Sequence, residues 1–341
     1  MCGRCVRTRS KCSYPWAAEP DSSGTPPSVL VQDSSAPLPS FDLLDMTLMH
    51  QYVTDTCEHL FVGARQKQLW QLEIPALAAS HVVLVHGFLA VTAIHCAWKE
   101  TAKRDLYRSR ALHHHNLSLP IFQKMVASAS SETAVVIVAY SVLLSIWVYA
   151  FPELAAEQHS LDDILRTIEV IRGSRRVARL YREVIKDSPM SVFNKSPLQD
   201  PMLEDQDSSA RQILQPLLDQ IDHQSDESAV QQLRIFLDHY MRGFDYSRLA
   251  AIWMASVDDD YWARLCDHQA DAILVFAYST LLIRASEHEC WWVSGWSERI
   301  LQACTDMMSI ETQTAINWAD HEHHIRAGAN ELAESMRSRQ K

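Results

Sequence analysis

An all-α fold is what this 341-residue chain predicts, and three features of its sequence predict it. Apolar residues recur at helical spacing through most of the length. Glycine is scarce: there are eight, and none falls in GxGxxG, a P-loop or GxSxG, so phosphate-cradling loops and the nucleophile elbow are missing. No alternating run bounded by hairpin turns competes with helix. A hydrophobic fraction of 47% at this length supports a substantial core, in one large domain or two smaller ones, and excludes a chain disordered throughout.

Residues 2–15 read Cys2-Gly3-Arg4-Cys5-Val6-Arg7-Thr8-Arg9-Ser10-Lys11-Cys12-Ser13-Tyr14-Pro15, a C-x2-C-x6-C pattern closed by Ser-Tyr-Pro. Closely spaced thiolates suit a soft tetrahedral zinc site, because Cys2 and Cys5 bite the metal and Cys12 closes on it after a short turn. Three thiolates are one ligand short. Arg4, Arg7, Arg9 and Lys11 share this segment with no acidic residue, whereas the chain as a whole carries a net charge of −11. A basic end on an acidic body suits a terminus that faces nucleic acid and a domain that avoids it, although a short basic stub is also how a solvated tail looks.

Residues 13–40 hold six of the thirteen prolines and seven serines, the composition of a disordered linker. Helix is expected over 42–61, where Leu44, Leu48, Tyr52 and Leu60 follow helical spacing and Ser40 or Asp42 can cap. Residues 81–98 and 133–152 contain no formally charged side chain and read as helices buried on nearly every side. The second is long enough for a membrane span, but its flanks carry Glu132, Glu153 and Glu157 with no Lys/Arg cluster to orient it, so a central core helix and no stable span is the expectation. Residues 161–186 are amphipathic and end in Arg172, Arg175, Arg176, Arg179, Arg182 and Lys186; 187–211, with three prolines and five acids, reads as a connection. Helices resume over 211–221, 227–242, 246–255, 259–267, 270–286, 292–308 and 321–337. Cys57, Cys96, Cys266, Cys290 and Cys304 sit singly in apolar patterns and read as buried free thiols; with no signal peptide, a reducing compartment and no disulfides are expected.

The Cys2–Cys5–Cys12 segment resembles the second half of the fungal binuclear zinc cluster, in which two C-x2-C-x6-C halves share six cysteines between two zinc ions and set a helix in the major groove. The three cysteines match that family's fourth, fifth and sixth ligands. Its first half, which carries the main base-reading helix, has no counterpart here. From residue 42 to about 318 the chain is similar to the regulatory domain of sterol-uptake-control proteins, fungal zinc-cluster regulators. The similarity lies in LLDMTLMHQYVTDTC (43–57), HVVLVHGFLAVTAIHCA (81–97), YRSRALHHHNLSLPIF (107–122), DDILRTIEVIRG (162–173), ILVFAYSTLLIR (273–284) and WWVSGWSERIL (291–301). QADAILVFAYSTLL, from residue 269, departs from that family's more usual Pro…Ala-His-Tyr-Ala pattern.

This resemblance implies a zinc-cluster half at 1–14, a linker at 15–40 and a helical ligand-sensing domain at 41–341. It implies zinc as cofactor, contacts from Arg4, Arg7, Arg9 and Lys11 to DNA at CGG-type half-sites once the finger is complete, and an apolar pocket for a sterol or similar molecule. Phe88, Leu89, Val142, Ile146, Phe276, Trp291 and Trp292 are the candidates for the pocket wall, though such residues mostly fill cores. A transcriptional regulator of sterol, lipid or secondary-metabolite genes follows, homodimeric or not, nuclear when active and cytoplasmic when inactive. The alternative is a finger-less remnant that binds a ligand or a partner without touching DNA.

Other constellations carry less. His113, His114 and His115 are consecutive, so a helix points them about 100° apart and they cannot converge on one metal. His321 and His324 make an i,i+3 pair with no third ligand in sight. Asp258, Asp259 and Asp260 can be likened to the metal-binding acids of helical terpene cyclases, but no partner acid motif lies on another apolar helix. Carboxylates favour helix N-termini, so the run reads as a helix start and no enzyme is expected.

Overall fold

The computed structural model describes residues 41–155, 159–193, 209–242, 249–287 and 290–339. The zinc-cluster and linker assignments, with Cys2, Cys5, Cys12, Arg4, Arg7, Arg9 and Lys11, lie outside the described residues. Within them the fold is all-α, and among the described residues there is no strand.

Helix α1, Leu43–Thr54, starts on a reciprocal capping box in which Asp42 accepts from the Asp45 amide and Asp45 accepts from the Asp42 amide. It stops at Asp55, short of the 42–61 helix expected, and a 3₁₀ turn, Thr56–His59, turns Cys57 and Leu60 inward. Two short helices, α2 (Ala64–Gln68) and α3 (Ile74–Ala78), flank a π turn at Leu69–Glu73. Then come α4 (Val82–Lys99), α5 (Arg104–Ala127) and α6 (Ala134–Ala155). Helix α4 packs most extensively on α5, and also on α6 and α1.

Helix α5 is one that apolar periodicity does not announce. Its buried positions are Tyr107, Ala111, His114 and Ser118, a proper helical series filled with small and polar side chains, and Pro120 sits inside it. A pattern search for large hydrophobics passes over such a face.

Close approach between α4 and α6 depends on Gly87. A Cβ there would lie 2.8 Å from Leu143 Cδ1 and 3.3 Å from the Tyr140 ring. Both helices are long and apolar enough to cross a membrane by length and composition, yet 78% of Val82–Lys99 and 61% of Ala134–Pro152 are buried inside the protein. They pack on each other, on α1 and α5, and on the helix that follows at Leu161–Leu180, while the helices of the second half gather around residues 270–287.

The chain continues through α7 (Leu161–Leu180), opened by a Ser160–Asp163 capping box, and α8 (Arg182–Ile185). The expected single helix 161–186 is broken at Tyr181, whose amide bonds back to Val177. Within the expected connection 187–211, a 3₁₀ turn covers Pro189–Phe193 and helix α9 runs Ser209–Leu218. Helices α10 (Gln224–Met241), α11 (Leu249–Met254) and α12 (Asp259–Cys266) follow. Asp258 caps α12 by accepting from the Tyr261 amide at 2.7 Å, the role its position suggested.

Expected helix 270–286 is two, α13 (Ala270–Tyr278) and α14 (Thr280–Glu287). At the joint, Ser279 and Thr280 turn their hydroxyls back onto the carbonyls of Phe276 and Ala277. Residues 292–308 are likewise divided: a 3₁₀ turn at Trp291–Val293, then Gly295 at φ 77°, then α15 (Trp296–Met307). Gly295 takes up the left-handed backbone that joins the 3₁₀ turn to α15, a conformation that costs glycine little. Helices α16 (Ile310–Ala315) and α17 (Trp318–Arg339) complete the fold.

Aromatic side chains with polar tips join segments distant in sequence. Tyr52 donates to the Trp70 carbonyl at 2.7 Å, Trp292 to Leu60 at 3.0 Å, Trp296 to Tyr149 at 2.7 Å and Trp253 to Ala229 at 3.1 Å. Each buries a large apolar ring while satisfying its N–H or O–H, which is why these residues serve core and scaffold together. Cys57, Cys96, Cys290 and Cys304 are buried free thiols, as expected, whereas Cys266 is partly exposed.

Candidate ligand cleft

Three helices, with α7 packed on both α6 and α11, leave a cleft between them, lined by small and large side chains. From α6 come Ser141, Val142, Ser145, Ile146 and Tyr149, a helical series on one side. Facing them on α7 are Ile171, Ser174, Arg175 and Ala178, again at i, i+3, i+4 and i+7. Ala251, Ile252 and Ala255 from α11 and its end form the third wall, with Phe61, Phe193 and Trp292 at the margins. Counting its open mouth the cleft holds about 690 Å³, but the free interior is about 110 Å³.

The polar groups in this lining are specific. Ser141 donates to the Ile137 carbonyl at 2.8 Å, Ser145 to Ser141 at 2.9 Å and Ser174 to Val170 at 3.0 Å. Tyr149 points its hydroxyl at Met254 Sδ, 3.4 Å away, and burial raises its pKa. Trp292 gives its indole proton to Leu60. These protons are therefore committed, while the hydroxyl oxygens keep acceptor capacity. Among the described lining residues Arg175 is the one charged side chain.

The wall opposite α6 is held by a second arginine. Arg172, 3% exposed, donates to the carbonyls of Met254 (2.8 Å) and Val257 (3.2 Å), reaches Asp259 at 2.8 Å and lies 4.5 Å over the Trp262 ring. Arg179 donates to Ala255 at 3.3 Å and Arg176 to Asp259 at 3.1 Å. Arg172, Arg176 and Arg179, three of the six bases that end the 161–186 pattern, thus form a bracket that fastens α7 to the segment running from α11 to Asp259.

Of the residues singled out from the sequence, the structure places Val142, Ile146 and Trp292 in the cleft lining. Phe88 lies elsewhere, fully buried and stacked on Tyr52 at 4.5 Å; Leu89 and Phe276 are also core. Trp291 lies outside the lining and stacks on His95 at 4.6 Å. Sequence reasoning passed over Ser141, Ser145, Ser174, Ala178 and Arg175. For Ser141 and Ser145, and for Ser174 and Ala178, the signal was small residues at i, i+4; Arg175 carried none.

Two polar clusters lie outside the cleft. Asp55, His59 and His95 place one ligand atom each within 4.8 Å of one another. This donor set suits a divalent transition metal. Competing partners are present, however: Lys99 binds Asp55 at 2.7 Å, His59 approaches Asp55 at 3.2 Å, and His95 Nδ1 meets Thr56 Oγ1 at 2.9 Å. Burial pushes His95 down to about 4, which keeps it neutral. The second cluster is a buried chain from Asp45 to His114 (2.9 Å) and on to His86 (3.0 Å), with Arg110 against Asp45 and Asp42. Burial pushes His86 down to about 4 and lowers His114 too. His115, stacked on Trp147 at 3.7 Å, is likewise pushed down to about 4 by burial. His113 is exposed, so the three consecutive histidines diverge as helical geometry requires. His321 bonds Tyr278 and Gln220, and His324 bonds the Ile213 carbonyl.

No family model matches the chain. Over 260 residues it is 24% identical to the Zn(2)-C6 fungal-type transcription factor afumD of Aspergillus fumigatus, an alignment covering 70% of this chain. The chain spans 65% of the length of that relative.

Proposed function

We propose that the chain is a transcriptional regulator whose helical domain senses an apolar small molecule in the cleft between α6, α7 and α11. The observation that carries this reading is the similarity to a fungal zinc-cluster transcription factor: with 40 residues ahead of the described part, 260 aligned residues must run mostly through the helical domain. The C-x2-C-x6-C segment points to the same family independently of that domain. Cys2, Cys5 and Cys12 would hold zinc, and Arg4, Arg7, Arg9 and Lys11 would meet DNA, in a nuclear protein that acts on sterol, lipid or secondary-metabolite genes.

Three thiolates leave tetrahedral zinc one ligand short, so this segment alone folds poorly around the metal. Its four bases neutralise a few phosphates, and phosphate contacts position a protein without reading sequence. The test is a mobility-shift titration of the 341-residue chain on a CGG half-site probe beside a scrambled one, with and without zinc. Weak, salt-sensitive binding with no preference is expected. Tight, zinc-dependent preference for the CGG probe would show that three thiolates suffice, with a second chain completing the site, and would overturn the account of the half finger.

A second reading is a ligand- or partner-binding protein that leaves DNA alone, which the cleft in the helical domain supports equally. The ligand half common to both readings is tested by thermal shift with a panel of sterols, terpenoids and fatty acids, since a ligand of the native state must raise the melting temperature. A panel without any such shift would remove ligand sensing from both.

A further inference from the structure

We infer that the cleft takes an amphipathic carboxylate, its apolar body between α6 and α7 and its head on the Arg175 guanidinium. This rests on the ligand-sensing reading above and narrows it from flat apolar molecules in general to one class.

Size is the first argument. An engineered cavity of about 150 Å³ holds benzene, and the free interior here is about 110 Å³. Being smaller, this interior suits a narrow acyl chain better than a ring, and a fused four-ring plate enters only if the helices part. The remaining volume toward the mouth, within the 690 Å³ total, accommodates the rest of a slender molecule.

The donor inventory is the second. The hydroxyl protons of Ser141, Ser145 and Ser174 already go to backbone carbonyls, and the Trp292 N–H goes to Leu60. An acceptor head group therefore finds its N–H donors at the guanidinium, whose five in a planar fork can serve a protein neighbour and a carboxylate at once. On the same helix, Arg172 is directed to Met254, Val257 and Asp259, Arg176 to Glu169 and Asp259, and Arg179 to Ala255. Arg175 is the member of that basic series that turns to the cleft.

Charge is the third. Among the described lining residues there is no carboxylate to repel an anionic head. A dianionic phosphate carries more charge to bury against apolar walls than a carboxylate does, at a higher desolvation cost.

The experiment compares decanoate with decan-1-ol, both below their aggregation limits, by isothermal titration calorimetry on the full chain, in wild type, Arg175→Gln, Arg175→Lys and the cleft-filling Val142→Trp. Wild type is expected to bind the acid about tenfold or more tightly than the alcohol, as a charge-assisted bidentate pair provides. Arg175→Gln should lose that preference while keeping the alcohol's affinity, Arg175→Lys should keep part of it, and Val142→Trp should weaken both probes. Melting curves confirm that each variant is folded. Equal affinity for acid and alcohol in wild type, or equal loss of both in Arg175→Gln, overturns the carboxylate assignment while leaving the cleft as a ligand site. No binding of either probe, together with no hit from the lipid panel, overturns the ligand-sensing reading itself.

Discussion

Replacing Arg172 by Met tests whether the wall of the cleft is fastened electrostatically or by packing alone. Met keeps the apolar stem and approximate volume but removes the donors to the Met254 and Val257 carbonyls and the cation over Trp262. Two carbonyls in a buried segment then lack these donors, at about 1–3 kcal/mol each. The lost cation–π contact adds about 1 kcal/mol. Against this stands relief from desolvating a guanidinium that is 3% exposed, a cost felt in its lowered pKa. Asp259, at 79% exposed, rehydrates easily once its partner leaves and adds little. The balance is a net loss of about 2–3 kcal/mol, which in a domain of this size is a fall in melting temperature of about 5 °C or more. Urea titration followed by circular dichroism measures it, with Arg172→Lys expected to fall between, since an ammonium cannot reproduce the fork. An Arg172→Met protein as stable as wild type would show that burial of the guanidinium costs as much as its bonds return, and the bracket would not be a stabilising device.

Gly87 gives a steric counterpart: Gly87→Val should cost about 3 kcal/mol by driving methyl groups into Leu143 and Tyr140, while Gly87→Ala should cost about 1 kcal/mol, because improved helix propensity of about 1 kcal/mol offsets part of the clash. Urea midpoints decide it, and a valine variant of wild-type stability would contradict the close helix approach. Acid should also weaken the fold. His86 and His95 titrate at about 4 when folded against 6.5 unfolded, so the unfolded chain takes up protons first as pH falls. Stability is full above about pH 7 and declines through the window from 6.5 to 4, by about 3 kcal/mol for each of the two, with His115 acting in the same direction. A melting temperature constant from pH 7 to about 4.5 would show these imidazoles to be more hydrated than their burial indicates.

Helix type and order were legible because large apolar residues at helical spacing dominate 81–98, 133–152 and 270–286. What escaped was set by tertiary structure or by side chains that do not register as apolar. Helix α5 turns Ala111, His114 and Ser118 inward, and the joints at Tyr181 and Ser279 arise where packing directions change within one continuous pattern. Val142, Ile146 and Trp292 could be picked as wall candidates because they are large and apolar; Phe88 and Phe276 share those traits and fill the core instead. A cleft depends on what is absent between helices, and absence is written in serines and alanines such as Ser145 and Ala178. Arg175 could not be told from its neighbours by composition, because its difference is only the direction in which its helix turns it.

The bond from Trp292 to the Leu60 carbonyl joins residues 232 apart. During synthesis at 5–20 residues per second, the chain around Leu60 therefore waits roughly 10–45 s for its indole partner to be made. Helices α4 and α6 are translated within that interval, before the Trp296 indole that closes on Tyr149 is made. These two long apolar helices thus emerge well before their last cover, and apolar surface exposed for that time is where a nascent chain is prone to aggregate. A chain that ends before Trp292 lacks both ties, so the segments around Leu60 and Tyr149 depend on partners that such a chain never acquires.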